Sequence, residues 1–417
     1  KTAPSRSRLC NVFMLLSRAR KQGVFRDFYH GLLAARLFAC IALLFLLAFL
    51  SWQAVRRAPG GAILPHNANY HFRLAANNTQ PIAHLQRALA LNPRLTSAWI
   101  ALGLQQETDG DPAGAEHSLL RAAAIDKTFA PAWALANFYL RQNRMAEFWT
   151  WAGTAAHVRY AGLDGLFALC WRAAQDPAEI LNVLPDRLPV RRQYLAFLAR
   201  QGRLDVIEDL AVDTATRGDA TDAGALVELC ERLLASGRHR AAVRLWNAMA
   251  QGGVIVYEAV DPSRILINGA LDHRPLGKAF DWRPYNGAAV SWNWRPSEVS
   301  VALSGKQPDV VELASQSVML AAGVAYRFAF EFRTDQVQPE SGVRWTLMNP
   351  RTGADLIPDG RLAGGGSSGQ WKREAITVPP PLEGGLHRLV LLHRRASGSV
   401  RTQGTVFLRA LVLERAA

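Results

Sequence analysis

The side chains able to do chemistry are few and poorly spaced for it. His387 and His393 lie in "LHRLVLLHRR", where strand alternation turns both rings to one face. Six strand positions hold them about 20 Å apart, too far to share a metal ion. Glycoside cleavage needs two carboxylates across one bond, but Glu298, Asp309, Glu312 and Glu331 are scattered and read as solvated surface acids. The run "AGGGSSGQ" from Ala363 lacks the Gly-Lys-Ser/Thr ending of a phosphate loop, and no G-x-S-x-G elbow occurs. Cys10, Cys40, Cys170 and Cys230 show no CxxC spacing and no histidines at ligand distance. These patterns predict no catalytic residue, no metal, no cofactor, and a protein that is not an enzyme.

Binding chemistry has better material. In "AVSWNWRP", Trp292 and Trp294 are two positions apart, so both indoles share a strand face with Val290. A sugar-stacking platform, a sandwich interior and an inter-domain contact are the three readings, and Val290 favours the interior. Trp282 and Tyr285, in the Pro/Asn/Gly-rich "FDWRPYNG", are expected in an exposed loop. If glycan is bound, Trp282, Tyr285, Trp292 and Trp294 are the stacking candidates. Trp345 and Trp371 stand in alternating segments and are expected inside.

The net charge of +14 is uneven: residues 1–60 carry ten Lys/Arg against one acid, 61–262 carry 19 against 20, and 263–417 carry 19 against 13. Most of the excess flanks an apolar stretch, which points to anionic lipid and away from nucleic acid. That stretch, "LFACIALLFLLAFLSWQAV" at residues 37–55, has 19 residues and no charge. As a helix it would extend roughly 28 Å. The positive-inside rule then predicts a cytoplasmic basic, amphipathic segment at 1–36, a transmembrane helix at 37–55, and the rest of the chain periplasmic or extracellular. The expectation is a single-pass inner-membrane protein in contact with the lipid bilayer. A cleaved signal peptide competes, but the basic region is long and no A-x-A pattern precedes Arg56.

A period of 34 follows. Trp99 and Trp133 each sit in an Ala-Trp pair, Leu102 and Gly103 suit helix-on-helix packing, Gly110-Asp111 suits a turn, and Ala115, Leu119 and Ala122 line a second helix. Leu85, Ala88, Leu91 and Pro93 repeat the second-helix pattern upstream. This resembles the tetratricopeptide repeat (TPR) family over residues 68–150, although Lys127 stands where that pattern has proline and Asn137 where it has a small residue. The helix–Gly–helix rhythm around Gly202 and Gly237 reads as degenerate continuation, giving an all-α TPR-like solenoid at 62–252, with Pro177, Pro185 and Pro189 marking loops. The resemblance implies a protein partner on the inner face, contacted by Leu104, Glu107, Phe138 and Arg141.

After Gly252-Gly253 the period becomes two. "VAYRFAFEFR" sets Val324, Tyr326, Phe328, Phe330 and Phe332 on one face. "RILING", "VSVAL", "DVVELASQSVML", "GVRWTLMN", "WKREAITV", "LHRLVLLHR" and "TVFLRALVLE" are further strand candidates. Short strands separated by Gly/Pro turns predict an all-β domain at 263–417. "ILINGALD", "VMLAAGVAYRFAFEFRT", "WKREAITVP" and "TVFLRALVLE" resemble jelly-roll carbohydrate-binding modules and related galactose-binding-like sandwiches.

The fold class expected is therefore multidomain: one transmembrane helix, a TPR-like solenoid, then a jelly-roll sandwich. The function expected is a non-catalytic envelope scaffold, its solenoid holding a protein and its sandwich contacting polysaccharide or another subunit, as in exopolysaccharide or O-antigen assembly. Two alternatives stand beside it: an accessory subunit of a large membrane complex that binds no glycan, and the tail of a polytopic glycan-processing enzyme.

Overall fold

The structure is a computed structural model and describes residues 41–51, 53, 66–77, 80–159, 161–285, 287–337, 341–357, 360–362 and 369–416. The basic segment 1–36 and residues 37–40, 52, 54 and 55 of the apolar stretch lie outside the described residues. Residues 41–51 form helix α1. Among the described residues, no helix is long and apolar enough to cross a membrane. The expected transmembrane element and single-pass inner-membrane location are corrected on that finding: the apolar window at 37–55 gives hydropathy, and among the described residues no helix combines enough length with it.

The chain divides into two compact units, residues 1–138 and 139–417. The first contains α2 (Ala68–Ala75), α3 (Pro81–Leu91), α4 (Thr96–Thr108) and α5 (Pro112–Ile125), each packed on the next. Leu85, Ala88, Ala98 and Leu102 form its dry seam. Asp111 caps α5 by accepting from Gly114 N at 2.9 Å, after a turn in which Gly110 takes φ 85°. Gly103 lets α4 approach α5: a Cβ there would lie 2.7 Å from Leu119 Cγ. The repeat's tryptophan, Trp99, donates from its indole to Pro93 O at 2.8 Å and so pins the entry to α4.

Helix α6 (Phe129–Arg141) runs across the division. The second unit continues with α7 (Met145–His157), α8 (Asp164–Ala173), α9 (Pro177–Val183), α10 (Leu188–Arg200), α11 (Glu208–Arg217), α12 (Ala223–Ala235) and α13 (His239–Gln251). Gly202 and Gly237 sit in left-handed turns, with φ 71° and 78°, between α10 and α11 and between α12 and α13. Pro177 and Pro189 occupy first-turn positions of α9 and α10, not loops as the pattern suggested. A helix start tolerates proline because its first N–H groups have no intrahelical partner. Cys170 and Cys230 are buried free thiols; burial pushes Cys170 up to about 12 and raises Cys230 as well, so both stay protonated and inert.

The β part of this unit is a sandwich of antiparallel sheets. One is ordered β1 (Arg283–Pro284), β4 (Val310–Leu320), β8 (Gly385–Arg394), β6 (Val343–Met348). The other is ordered β2 (Val290–Arg295), β3 (Glu298–Ser304), β9 (Gln403–Arg415), β5 (Tyr326–Asp335), β7 (Lys372–Val378). Alternation along β5 buries Tyr326, Phe328, Phe330 and Phe332, and Trp345 from the opposite sheet meets Phe328 edge-on at 5.0 Å. "RILING" is a turn instead of a strand: Ile265, Leu266 and Ile267 are buried, Asn268 takes φ 53°, and Gly269 O accepts from Leu411 N at 2.9 Å.

Candidate functional site

Of the residues expected on an inner helical face, Leu104 is 41% exposed and Phe138 only 1%. Glu107 is half-buried and Arg141 exposed. Phe138 is core, so it offers no aromatic surface to a partner; helical spacing put it on an apolar face, and that face is occupied by the protein itself.

In the sandwich, Trp282 is corrected from exposed to buried, at 2%. Its ring lies 6.1 Å from Trp345, and its Nε1 donates to Asn268 O at 3.2 Å. The Pro/Gly-rich loop folds inward because Asn268 and Asp281 satisfy its polar atoms. Asn268 Nδ2 donates to His273 O and to Asp281, and the Asp281 carboxylate accepts from Leu276 N. Tyr285 is half-buried against the core. Trp292 and Trp294 are also half-buried, on the Val290 face, and donate to Leu313 O and Leu271 O, each at 2.8 Å. Their N–H groups are committed to backbone, and the inward face is the sandwich interior. Ser291, Asn293 and Arg295 take the solvent side of β2.

The aromatic surface that does face outward lies elsewhere on the same sheet. Trp371, just before β7, is half-buried like Trp292 and Trp294, but on the outer side of its sheet. The Arg409 guanidinium sits 4.1 Å from its ring centre, and Arg333 spans Trp371 at 5.2 Å and Phe407 at 3.7 Å. Arg409 is braced by Glu331 at 2.7 Å and Arg333 by Glu298 at 3.7 Å. Pairing places Phe407 opposite Arg333 and Arg409 opposite Glu331. The result is a ladder, Phe407–Arg333–Trp371–Arg409, in which rings and guanidinium groups alternate. It can stack and hydrogen-bond a flat polar ligand, and it contains no nucleophile or base. Trp371 was expected inside. The missed signal was parity: it precedes the outward Arg373 by two positions.

His387 and His393 are both buried, on the core side of β8 opposite Val318 and Val311. Burial lowers the pKa of each. Among the described residues, no three His, Cys, Asp or Glu side chains gather as a metal site would require.

No protein-family model matches this chain. No curated protein matches it either. Among solved structures, PilF of Pseudomonas aeruginosa is 18% identical, with 45% of this chain and 76% of that chain covered, at TM-score 0.22. YrrB, a TPR protein described as having an unusual peptide-binding site, is 15% identical over 48% of this chain and 90% of its own, at TM-score 0.21. A family 29 carbohydrate-binding module is 9% identical over 31% of this chain and 77% of its own, at TM-score 0.19. These scores are far below 0.5, and the helical-then-sandwich architecture rests on this chain's own packing.

Proposed function

We propose that this chain is a non-catalytic interaction scaffold. Its helical hairpins hold a protein partner, and its sandwich contacts polysaccharide through the outer face of the five-stranded sheet. The observation that carries the second part is Trp371, half-buried on the outer face with the Arg333 and Arg409 guanidinium groups over its ring. These contacts limit the freedom the indole has left to lose on binding, and the guanidinium edges supply hydrogen-bond donors beside it. The acids beside these arginines, Glu298 and Glu331, are engaged with them and serve to position them.

The test is affinity electrophoresis of the full chain through gels containing a β-glucan, a galactomannan or alginate. At least one polymer should retard it, and Trp371→Ala should abolish retardation while circular dichroism stays unchanged. Retardation that persists in Trp371→Ala, or none in any gel, removes polysaccharide from this reading.

A further inference from the structure

A trough runs beside α13. Its central part is a cavity of about 500 Å³ walled by Val243, Val260, Ile265, Leu320 and Tyr326. Val243 and Arg244 also border a cavity of about 430 Å³ that continues toward Thr216 and Gln251. Pro262 and Arg415 border another, of about 340 Å³, beside Ser263 and Glu414. The first cavity shares Val243 and Arg244 with the second and Pro262 and Arg415 with the last, so the three adjoin, and a partner occupying all of them would have to be extended.

The charges along it are unequal in their commitments. Arg244 is tied to Glu208 at 2.7 Å and Asp209 at 3.0 Å. Glu414 faces Arg327 at 3.3 Å. Asp261 is engaged by Ser263 and by the Arg264 N–H. Arg240 and Arg415 also line the central cavity, are exposed, and stand without an ion-pair partner among the described residues. An apolar cavity bordered by uncommitted guanidinium forks is complementary to apolar groups carried next to carboxylates.

We infer that this trough receives an extended segment of the partner protein in which apolar side chains alternate with acidic ones. The inference rests on the protein-partner half of the proposed function and moves that contact away from Leu104 and Phe138. Main-chain length fills the channel, apolar side chains dry its walls, and carboxylates pair with Arg240 and Arg415.

Phage display of random dodecapeptides on the immobilised full chain, followed by titration of the enriched peptides in fluorescein-labelled form, tests it. The expected winners are acidic and apolar, and Arg240→Glu combined with Arg415→Glu should weaken them at least tenfold. Val243→Glu, which fills the channel, should do the same, and raising salt from 50 to 500 mM should weaken binding to the unaltered chain. Because both arginines are exposed, circular dichroism should report an intact fold. Enriched peptides that bind the variants equally well overturn the trough and leave the scaffold reading standing. No enrichment, or enrichment of basic peptides, overturns the trough as well. So does dodecanoate binding at these residues without peptide binding, or a self-associated chain that the two substitutions dissociate.

Discussion

The Arg283 guanidinium lies 2.6 Å from the Glu231 carboxylate, joining strand β1 to helix α12. The same carboxylate oxygen accepts from Ala279 N at 2.7 Å, and Lys278 pairs with Glu228 one helical turn earlier. Both side chains are partly shielded, at 25% and 33% exposure, so loss of one partner strands the other. Trp246 of α13 adds an edge contact with Phe280 at 5.9 Å and donates to Glu258 O. Helices and sandwich in this unit therefore share one buried seam.

Glu231→Ala should destabilise the unit by about 1–3 kcal/mol, because a backbone N–H and a guanidinium lose their acceptor together. A double-mutant cycle with Arg283→Ala in urea unfolding should show a coupling of about 1 kcal/mol. Purely additive losses would mean that the pair is only a surface contact.

Much of this was legible in the residues. The 34-residue spacing of Trp99 and Trp133 carried the first hairpin because Gly103 and Leu119 must interlock there. The five alternating positions from Val324 to Phe332 announced β5, since only one sheet face can be dry. Trp282 was not legible: a Pro/Gly/Asn loop reads as polar, and only Asn268 and Asp281 in three dimensions show where its polar atoms are satisfied. The Trp371 ladder needs cross-strand register, which no single segment contains.

Stability should depend on pH through groups with opposite signs. Burial raises Asp281 from 3.8 to about 6, so the folded state holds a proton that the unfolded chain has released. That contribution is full below about pH 3.8 and is lost as pH rises through 6. Burial lowers His387 and His393 from 6.5. Their contribution is full above 6.5 and is lost as pH falls, since the unfolded chain then takes up protons first. Asp281→Asn removes the first effect alone. The stability of the unaltered chain minus that of Asp281→Asn should therefore grow as pH drops from 8 to 4 in urea titrations. A flat difference would mean that Asp281 titrates normally.

Tryptophans in the two environments of the sandwich should separate stability from binding. Trp345, at 0% exposure among Phe328, Phe330 and Trp282, should cost about 3–5 kcal/mol as Trp345→Ala through the cavity it leaves. Trp371→Ala, on the outer face, should cost about 1 kcal/mol or less from the lost arginine contacts. Near-equal shifts in thermal midpoint would contradict the outward placement of Trp371.

Two helical glycines should respond to alanine with opposite signs. Alanine ordinarily favours a helix over glycine by about 1 kcal/mol. At Gly224 in α12 a new Cβ meets nothing within 4 Å, so Gly224→Ala should stabilise by a few tenths of a kcal/mol to about 1 kcal/mol. At Gly103 in α4 the same methyl would lie 2.7 Å from Leu119 Cγ and 3.0 Å from Ala115 O. The backbone oxygen cannot yield without separating α4 from α5, and overpacking of this kind costs about 1–3 kcal/mol. Steric cost outweighs propensity there, so Gly103→Ala should lower the thermal midpoint while Gly224→Ala raises it. A stabilising Gly103→Ala would show that the first hairpin is looser than the Gly103–Leu119 contact requires.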